Sequence, residues 1–124
     1  MTLRQMSLSG TTESDGTLTV NGESVVFGQL EAVEWIDGTF DNGVGAVISV
    51  QSTTSGVGLT LLTLTNANDD AMYYPRAIVH SEAGAALTGT SGGDRSKFIL
   101  SGKPRLVVTA GGNAKTGGCI LYYT

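Results

Sequence analysis

Short apolar runs, each closed by a Gly, Asn or Asp turn, recur along the whole chain. The clearest run is residues 44–50, where an apolar side chain stands at every second position. Such a period of two is typical of a strand with one buried face. Residues 58–65, rich in Leu and Thr, predict another strand. Because no stretch shows a helical period of convincing length, the pattern predicts an all-β chain.

Further runs of this kind are spaced roughly ten residues apart, which is the spacing of an all-β sandwich or barrel. They cover residues 2–8, 17–20, 24–27, 29–36, 97–100, 105–110 and 119–123. The sequence therefore predicts a single domain, residues 1–124, folded as an antiparallel β-sandwich that is jelly-roll-like and has about eight strands. Trp35, which alternates with Val33, is expected to pack in the core or at its border.

The turns between these runs carry their own predictions. Asn21-Gly22 suits a tight hairpin turn, and we expect the Gly-rich residues 111–118 to form a second hairpin. Pro75 interrupts residues 72–80, and proline cannot donate to a ladder, so that segment should be an edge strand or an extended loop. Residues 81–94, rich in Gly, Ala and Thr, should be a long loop.

Composition and charge narrow the class of function. The chain has 124 residues, 15% of them charged, with a formal net charge of −4 and a pI near 4.7. An acidic chain of this kind lacks the basic stripe of a nucleic-acid binder. No apolar run approaches a membrane span, and residues 1–10 lack the apolar core of a secretory signal, so we expect no membrane association.

The charges are distributed unevenly along the chain. Residues 1–70 carry a balance of −8 and residues 71–124 a balance of +4. One interpretation is that the two halves interleave in the fold and neutralise each other locally. The other is that each sign gathers on its own face and meets a complementary neighbour, an arrangement that sets register and encounter rate.

Candidate catalytic motifs are weak. Gly89–Gly93 matches the G-x-S-x-G pattern, but that elbow needs a strand before it and a helix after it. In residues 111–118 the Lys-Thr pair lacks the preceding Gly of a phosphate loop. His80 and Cys119 are each the only residue of their kind, far from zinc spacings. Five turn residues could offer oxygen ligands to Ca²⁺, although turn formation is their default role: Asp37, Asp41, Asn42, Asp69 and Asp70. We therefore expect no enzyme activity, no cofactor and no metal.

The segment Tyr73-Tyr74-Pro75-Arg76 favours an interaction surface instead. Tyr and Arg dominate protein–protein hot spots, and proline holds the backbone rigid. An alternative is that one Tyr is in the core, the other is exposed, and Arg76 pairs locally. With the basic residues of the second half, the predicted partner-binding set is Tyr73, Tyr74, Pro75, Arg76, Arg95, Lys97 and Arg105.

The strings LEAVEWIDGTFDNGVGAVISV, LLTLTNANDDAMYYPRAIVH, GTSGGDR and KPRLVVTAGGNAKTGGCILYY resemble a group of small structural proteins of tailed bacteriophages. The resemblance covers roughly residues 25–124. It implies a virion component, above all a capsid cement (decoration) protein made in the bacterial cytoplasm. Such a protein binds the outside of the major capsid shell and bridges capsomers, here as a homodimer or homotrimer.

Two other functions stay open from the sequence. One is a carbohydrate-binding or host-attachment sandwich, in which Trp35 and the pairs Tyr73-Tyr74 and Tyr122-Tyr123 would stack on sugar rings. The other is a head–tail connector or tail component.

Overall fold

The computed structural model describes residues 2–78 and 95–124, which contain eight main strands and one short two-stranded ladder. The strands are β1 (Arg4–Thr11), β2 (Leu18–Asn21), β3 (Val26–Ile36), β4 (Gly45–Gln51), β5 (Gly58–Leu64), β6 (Ala71–Tyr73), β7 (Ala77–Ile78), β8 (Arg95–Ser96), β9 (Ile99–Thr109) and β10 (Thr116–Tyr123). The described residues contain no helix, and therefore none long and apolar enough to span a membrane.

The eight main strands form two antiparallel four-stranded sheets. Sheet A has the order β1-β10-β3-β6, and sheet B has the order β2-β9-β4-β5. The first main strand pairs with the last, the second with the seventh, the third with the sixth, and the fourth with the fifth. That nested pairing is the winding of a jelly roll, so the predicted fold class is confirmed.

Two long strands join the sheets at one corner. β3 pairs with β10 and β6 through its second half, whereas its first four residues pair with β9. β9 continues past that corner into sheet B. Gly28 and Gly102 lie in the corner with φ near +144° and +141°. A Cβ on Gly28 would overlap the Thr124 carbonyl, and one on Gly102 would overlap that of Gln51. Glycine therefore permits both the bend and the close approach.

The core lies between the sheets. The stripe at 44–50 is buried as predicted, and Trp35 has no exposed surface. Its indole N–H donates to the Ala67 carbonyl at 2.9 Å, and its ring stacks on Phe40 with centroids 5.7 Å apart. The core position of Trp35 is thereby confirmed, and its one polar atom is satisfied, as burial requires.

Both hairpin predictions are wrong. β2 lies in sheet B and β3 in sheet A, so Asn21-Gly22 begins a crossing between sheets; Gly22 N–H donates to the Pro104 carbonyl instead. β9 and β10 are likewise unpaired with each other, so residues 111–118 do not join a hairpin. In a jelly roll most strands that follow each other in sequence lie in opposite sheets. Turn residues such as Asn-Gly indicate that the chain turns, but they do not indicate whether the two flanking strands pair with each other.

The edge-strand prediction around Pro75 is confirmed. β6 pairs only with β3 among the described strands and ends two residues before the proline. β7 then pairs with β8 in a separate two-stranded ladder. His80, the G-x-S-x-G motif and the predicted loop at 81–94 lie outside the described residues.

Candidate interaction surface

A β-bulge in β3 organises one side of the candidate surface. Tyr122 pairs with Ala32 and Tyr123 with Leu30, so Glu31 is an extra residue without a ladder partner. The bulge shifts the alternation of inward- and outward-facing side chains along β3. Leu30 and Val33 are therefore both buried, although one has an even and the other an odd residue number. The bulge also leaves the Glu31 carbonyl and carboxylate available to side chains from elsewhere in the chain.

Two of the predicted partner-binding residues meet at Glu31. The Lys97 ammonium lies 2.9 Å from the Glu31 carboxylate, and Arg76 Nη1 donates to the Glu31 carbonyl at 3.1 Å. The Thr124 hydroxyl donates to the same carboxylate at 2.9 Å. The hydrogen bonds from Lys97 and Thr124 lower the pKa of Glu31. This pairing of an acid from the first half with bases from the second fits the interpretation of local neutralisation.

The neighbouring tyrosines divide as the local interpretation expected. Tyr73 pairs with Val33 and packs against the core, whereas Tyr74 is 66% exposed. Arg76 also donates to the Pro75 carbonyl at 2.8 Å, so its guanidinium is held by two backbone oxygens. Arg95 lies opposite Ile78 in the β7–β8 ladder.

An exposed apolar area adjoins these residues. Leu59, Arg76, Ala77, Ile78, Phe98 and Ile99 line a shallow depression of about 590 Å³. Ile99 is 70% exposed there, and so is Phe27, its diagonal neighbour across the β3–β9 ladder. We call the set Phe27, Leu59, Ala77, Ile78, Phe98 and Ile99 the corner patch. Contiguous exposed apolar surface rimmed by charge is typical of a protein interface.

Sequence reasoning missed the two most exposed members of the corner patch. Val25-Val26-Phe27 is a run of three apolar residues, and a strand can bury only alternate ones. Val26 is buried and Phe27 faces outward. The run therefore did contain the signal that at least one large apolar side chain would be exposed.

Arg105 lies apart from the other predicted residues. It stands on the outer face of sheet B, opposite Asn21 on β2 and Ser49 on β4, and its Nε donates to the Asn21 side chain at 2.9 Å. The structure thus brings Arg76 and Lys97 to Glu31 beside the corner patch, and places Arg105 on a different face.

Two of the turn residues considered as Ca²⁺ ligands, Asp70 and Asp41, have structural partners. Asp70 accepts a hydrogen bond from the Asp37 N–H at 2.8 Å, and Asp41 lies 3.9 Å from the Lys115 ammonium. Within residues 2–78 and 95–124 no three acidic, His or Cys side chains gather as a metal site. Burial and the neighbouring Asp70 and Asp69 raise the pKa of Asp37. Burial also raises the pKa of the Cys119 thiol to about 12, so it stays protonated and unreactive.

The full burial of Trp35 removes it as a sugar-stacking platform, which corrects one element of the carbohydrate-binding alternative. Tyr122 is also engaged, since its hydroxyl donates to Glu34 at 2.7 Å. That bond raises the pKa of the phenol.

Comparisons with known proteins found only distant structural similarities. No protein-family model and no curated protein matches the chain. Among solved structures it is similar to an exo-β-1,3-galactanase from Phanerochaete chrysosporium, with 13% identity, a TM-score of 0.36, and coverage of 97% of this chain and 27% of that one. It is also similar to infectious bursal disease virus, Gx strain, at 15% identity and a TM-score of 0.31, and to the VP2 subviral particle of that virus at 14% and 0.31.

Each viral match covers 98% of this chain and 37% of the other. The chain therefore spans between a quarter and two fifths of the length of these structures. Likeness of this degree carries no argument about what the chain binds or does.

Proposed function

We propose that this chain is a virion structural protein of a tailed bacteriophage, a cement protein that attaches to the outside of the major capsid shell through the corner patch. The corner patch is the observation that carries the proposal. It exposes Phe27 and Ile99 at 70% each beside an apolar depression, on a corner fixed by strand pairing. Large apolar side chains held rigidly at the surface can bury area on a partner at low entropic cost.

The surroundings of the corner patch suit a specific interface. Charged groups at the rim, Arg76 and Lys97, are held by Glu31 at one side of the depression. Interfaces commonly place an apolar centre inside such a polar rim, where the rim sets orientation and the centre supplies most of the free energy. Neither feature needs bond making or breaking, and in this proposal the chain has no enzymatic activity.

Self-association forms part of the proposal and has a separate structural basis. β1 is an edge strand that pairs with β10 over eight uninterrupted positions, and it has no pairing partner on its other side among the described strands. The strand contains one charge, Arg4 at its start, and no proline. A long regular edge of this kind can accept a strand from a second copy. Homodimers or homotrimers on local symmetry axes of the shell would follow.

The proposal is tested by mixing purified chain with expanded, undecorated phage capsids. We expect co-sedimentation, saturation at hundreds of copies per particle because the lattice repeats its sites, and a higher melting temperature of the shell. Saturation at about a dozen copies or fewer would indicate a connector at one vertex. A chain that stays in the supernatant would reject the capsid assignment.

A further inference from the structure

A second surface, on the outer face of sheet B, has the chemistry of an anion site. Lys103 and Arg105 are alternate residues of β9, and Pro104 between them is buried. Both cations therefore project from the same face. Together with Asn21, Gln51, Ser52, Thr53 and Gly56 they line a groove of about 350 Å³, here called the sheet B groove. No residue of the corner patch lines it.

The backbone of Arg105 is paired on both sides, and that of Lys103 on one side. Arg105 pairs with Asn21 on β2 and with Ser49 on β4, and Lys103 pairs with Gln51 on β4. Gln51 is itself oriented, since its amide donates to the Ser49 hydroxyl at 3.0 Å. A site on central strands holds its donors more precisely than a site on a loop.

The positive charge in the sheet B groove is not neutralised within the described chain. The groove lining contains no carboxylate, and the ion pairs found in residues 2–78 and 95–124 use Lys97 and Lys115. Arg105 is oriented by the neutral Asn21 oxygen, which engages Nε only. Its Nη groups, and the Lys103 ammonium, have no hydrogen-bond partner among the described residues. A preoriented guanidinium with free donors is suited to a carboxylate.

We propose that the sheet B groove binds the carboxylates of an extended acidic polypeptide segment. Alternate residues of a strand lie about 6.6 Å apart, so Lys103 and Arg105 match acids at alternate positions of an extended partner. The net charge of −4 disfavours a long polyanion such as a nucleic acid, whereas a short acidic segment meets only the local field. The inference rests on the proposed function only for the partner's identity, which would be a capsid subunit.

The test uses the full chain, labelled with ¹⁵N, and a synthetic peptide with Glu at alternate positions between serines. We expect saturable shifts of the amides around Lys103 and Arg105, and none with the same peptide carrying Gln in place of Glu. Lys103→Gln should weaken the peptide at least about tenfold, because one charge-assisted bond is lost. Lys103 is exposed, so this variant should fold normally.

Lys115→Gln is the matched control, since it removes one positive charge at a site paired with Asp41. We expect its affinity for the peptide to stay within about twofold of the parent, because Lys115 does not line the sheet B groove and its charge is paired with Asp41. Equal weakening by the two variants would overturn the inference, and so would equal binding of the Gln peptide. Shifts produced by inorganic phosphate and not by the Glu peptide would also overturn it.

Failure here and failure of the proposed function are distinguishable. A chain that binds the Glu peptide through Lys103 but ignores capsid shells would retain the groove inference and reject the cement function. A chain that binds shells but shows no amide shifts with the Glu peptide would retain the cement function and reject the groove inference.

Discussion

The two halves of β3 use aromatic side chains in opposite ways. In the second half Trp35 is fully buried, stacked on Phe40 and hydrogen-bonded to Ala67. In the first half Phe27 stands 70% exposed on the corner where β3 pairs with β9. One strand thus contributes to the core at one end and to the candidate interface at the other. The size and apolarity of a side chain therefore do not reveal its role, whereas the position of its residue in the strand topology does.

The comparison predicts its largest contrast in stability at these two aromatics. Trp35→Ala should lower the free energy of unfolding by about 3–5 kcal/mol, because it leaves a cavity and an unpaired Ala67 carbonyl. Phe27→Ala should change it by no more than about 0.5 kcal/mol, because the side chain is mostly solvated. Urea unfolding of both variants measures this. Similar losses at the two positions would show that the corner is part of the core.

The bend between the halves gives the next contrast. Gly28→Ala should cost about 1–3 kcal/mol, because the new Cβ meets the Thr124 carbonyl and the backbone has positive φ. Gly56 also has positive φ, at +72°, but a Cβ there meets nothing within 4 Å. Gly56→Ala should therefore cost less, about 1 kcal/mol, from backbone strain alone. Thermal unfolding ranks the two variants, and equal costs would mean that the close approach at Gly28 does not matter.

The second half of β3 should also protect its neighbour on β10. Cys119 pairs with Trp35 and is 1% exposed, and its pKa is raised to about 12. We expect a thiol reagent at neutral pH to modify the native chain only as fast as it opens, and the unfolded chain at once. Rapid labelling of the native chain would contradict the burial of this half.

The smallest effect is expected at the end of β3, where Asp37 follows the strand. Its raised pKa means that the charged form destabilises the native state. The protonated form, populated below the ordinary value of 3.8, carries no such penalty. The contribution of Asp37 to the free energy of unfolding is therefore most favourable at low pH, and it decreases as the pH rises through the raised pKa.

Asp37→Asn should accordingly raise the melting temperature slightly at neutral pH and leave it unchanged in acid. Asp15 is the control of opposite sign, since hydrogen bonds from Thr17 lower its pKa. Asp15→Ala should lower the melting temperature at neutral pH, and the difference should vanish as pH falls through the lowered pKa. A melting temperature of Asp37→Asn that falls at neutral pH would contradict the cause assigned to the shift.

The sequence predicted what depends on local period. The alternation of apolar residues was sufficient to predict the strand at 44–50. The alternation of Trp35 with its neighbour Val33 was sufficient to predict its position in the core. The sequence did not predict what depends on long-range pairing. The sequence pattern predicted two separate strands at residues 97–100 and 105–110, yet β9 is continuous across Gly102 and Pro104 between them. The fold tolerates both residues, since Gly102 forms the corner and β2 pairs with β9 only beyond Pro104.

The candidate site divides in the same way. Arg76 and Lys97 were identified by residue type. Their contacts with Glu31 depend on a β-bulge that the sequence pattern did not predict. Arg105 was assigned to the same surface, but strand register places it on sheet B. Residue chemistry therefore suggested the components of an interface, while the grouping of those components required the fold.

In the proposed function the corner patch is the capsid-binding surface, and its most exposed members, Phe27 and Ile99, contribute little to folding. The direct test compares Ile99→Thr with Val47→Thr in co-sedimentation with undecorated shells. Both positions are β-strand residues with an exposed aliphatic side chain, and Val47 lies in the middle of sheet B, away from the corner patch. We predict that Ile99→Thr weakens shell binding at least about tenfold, with an unchanged melting temperature. Equal binding by the two variants would reject the corner patch as the capsid-binding surface.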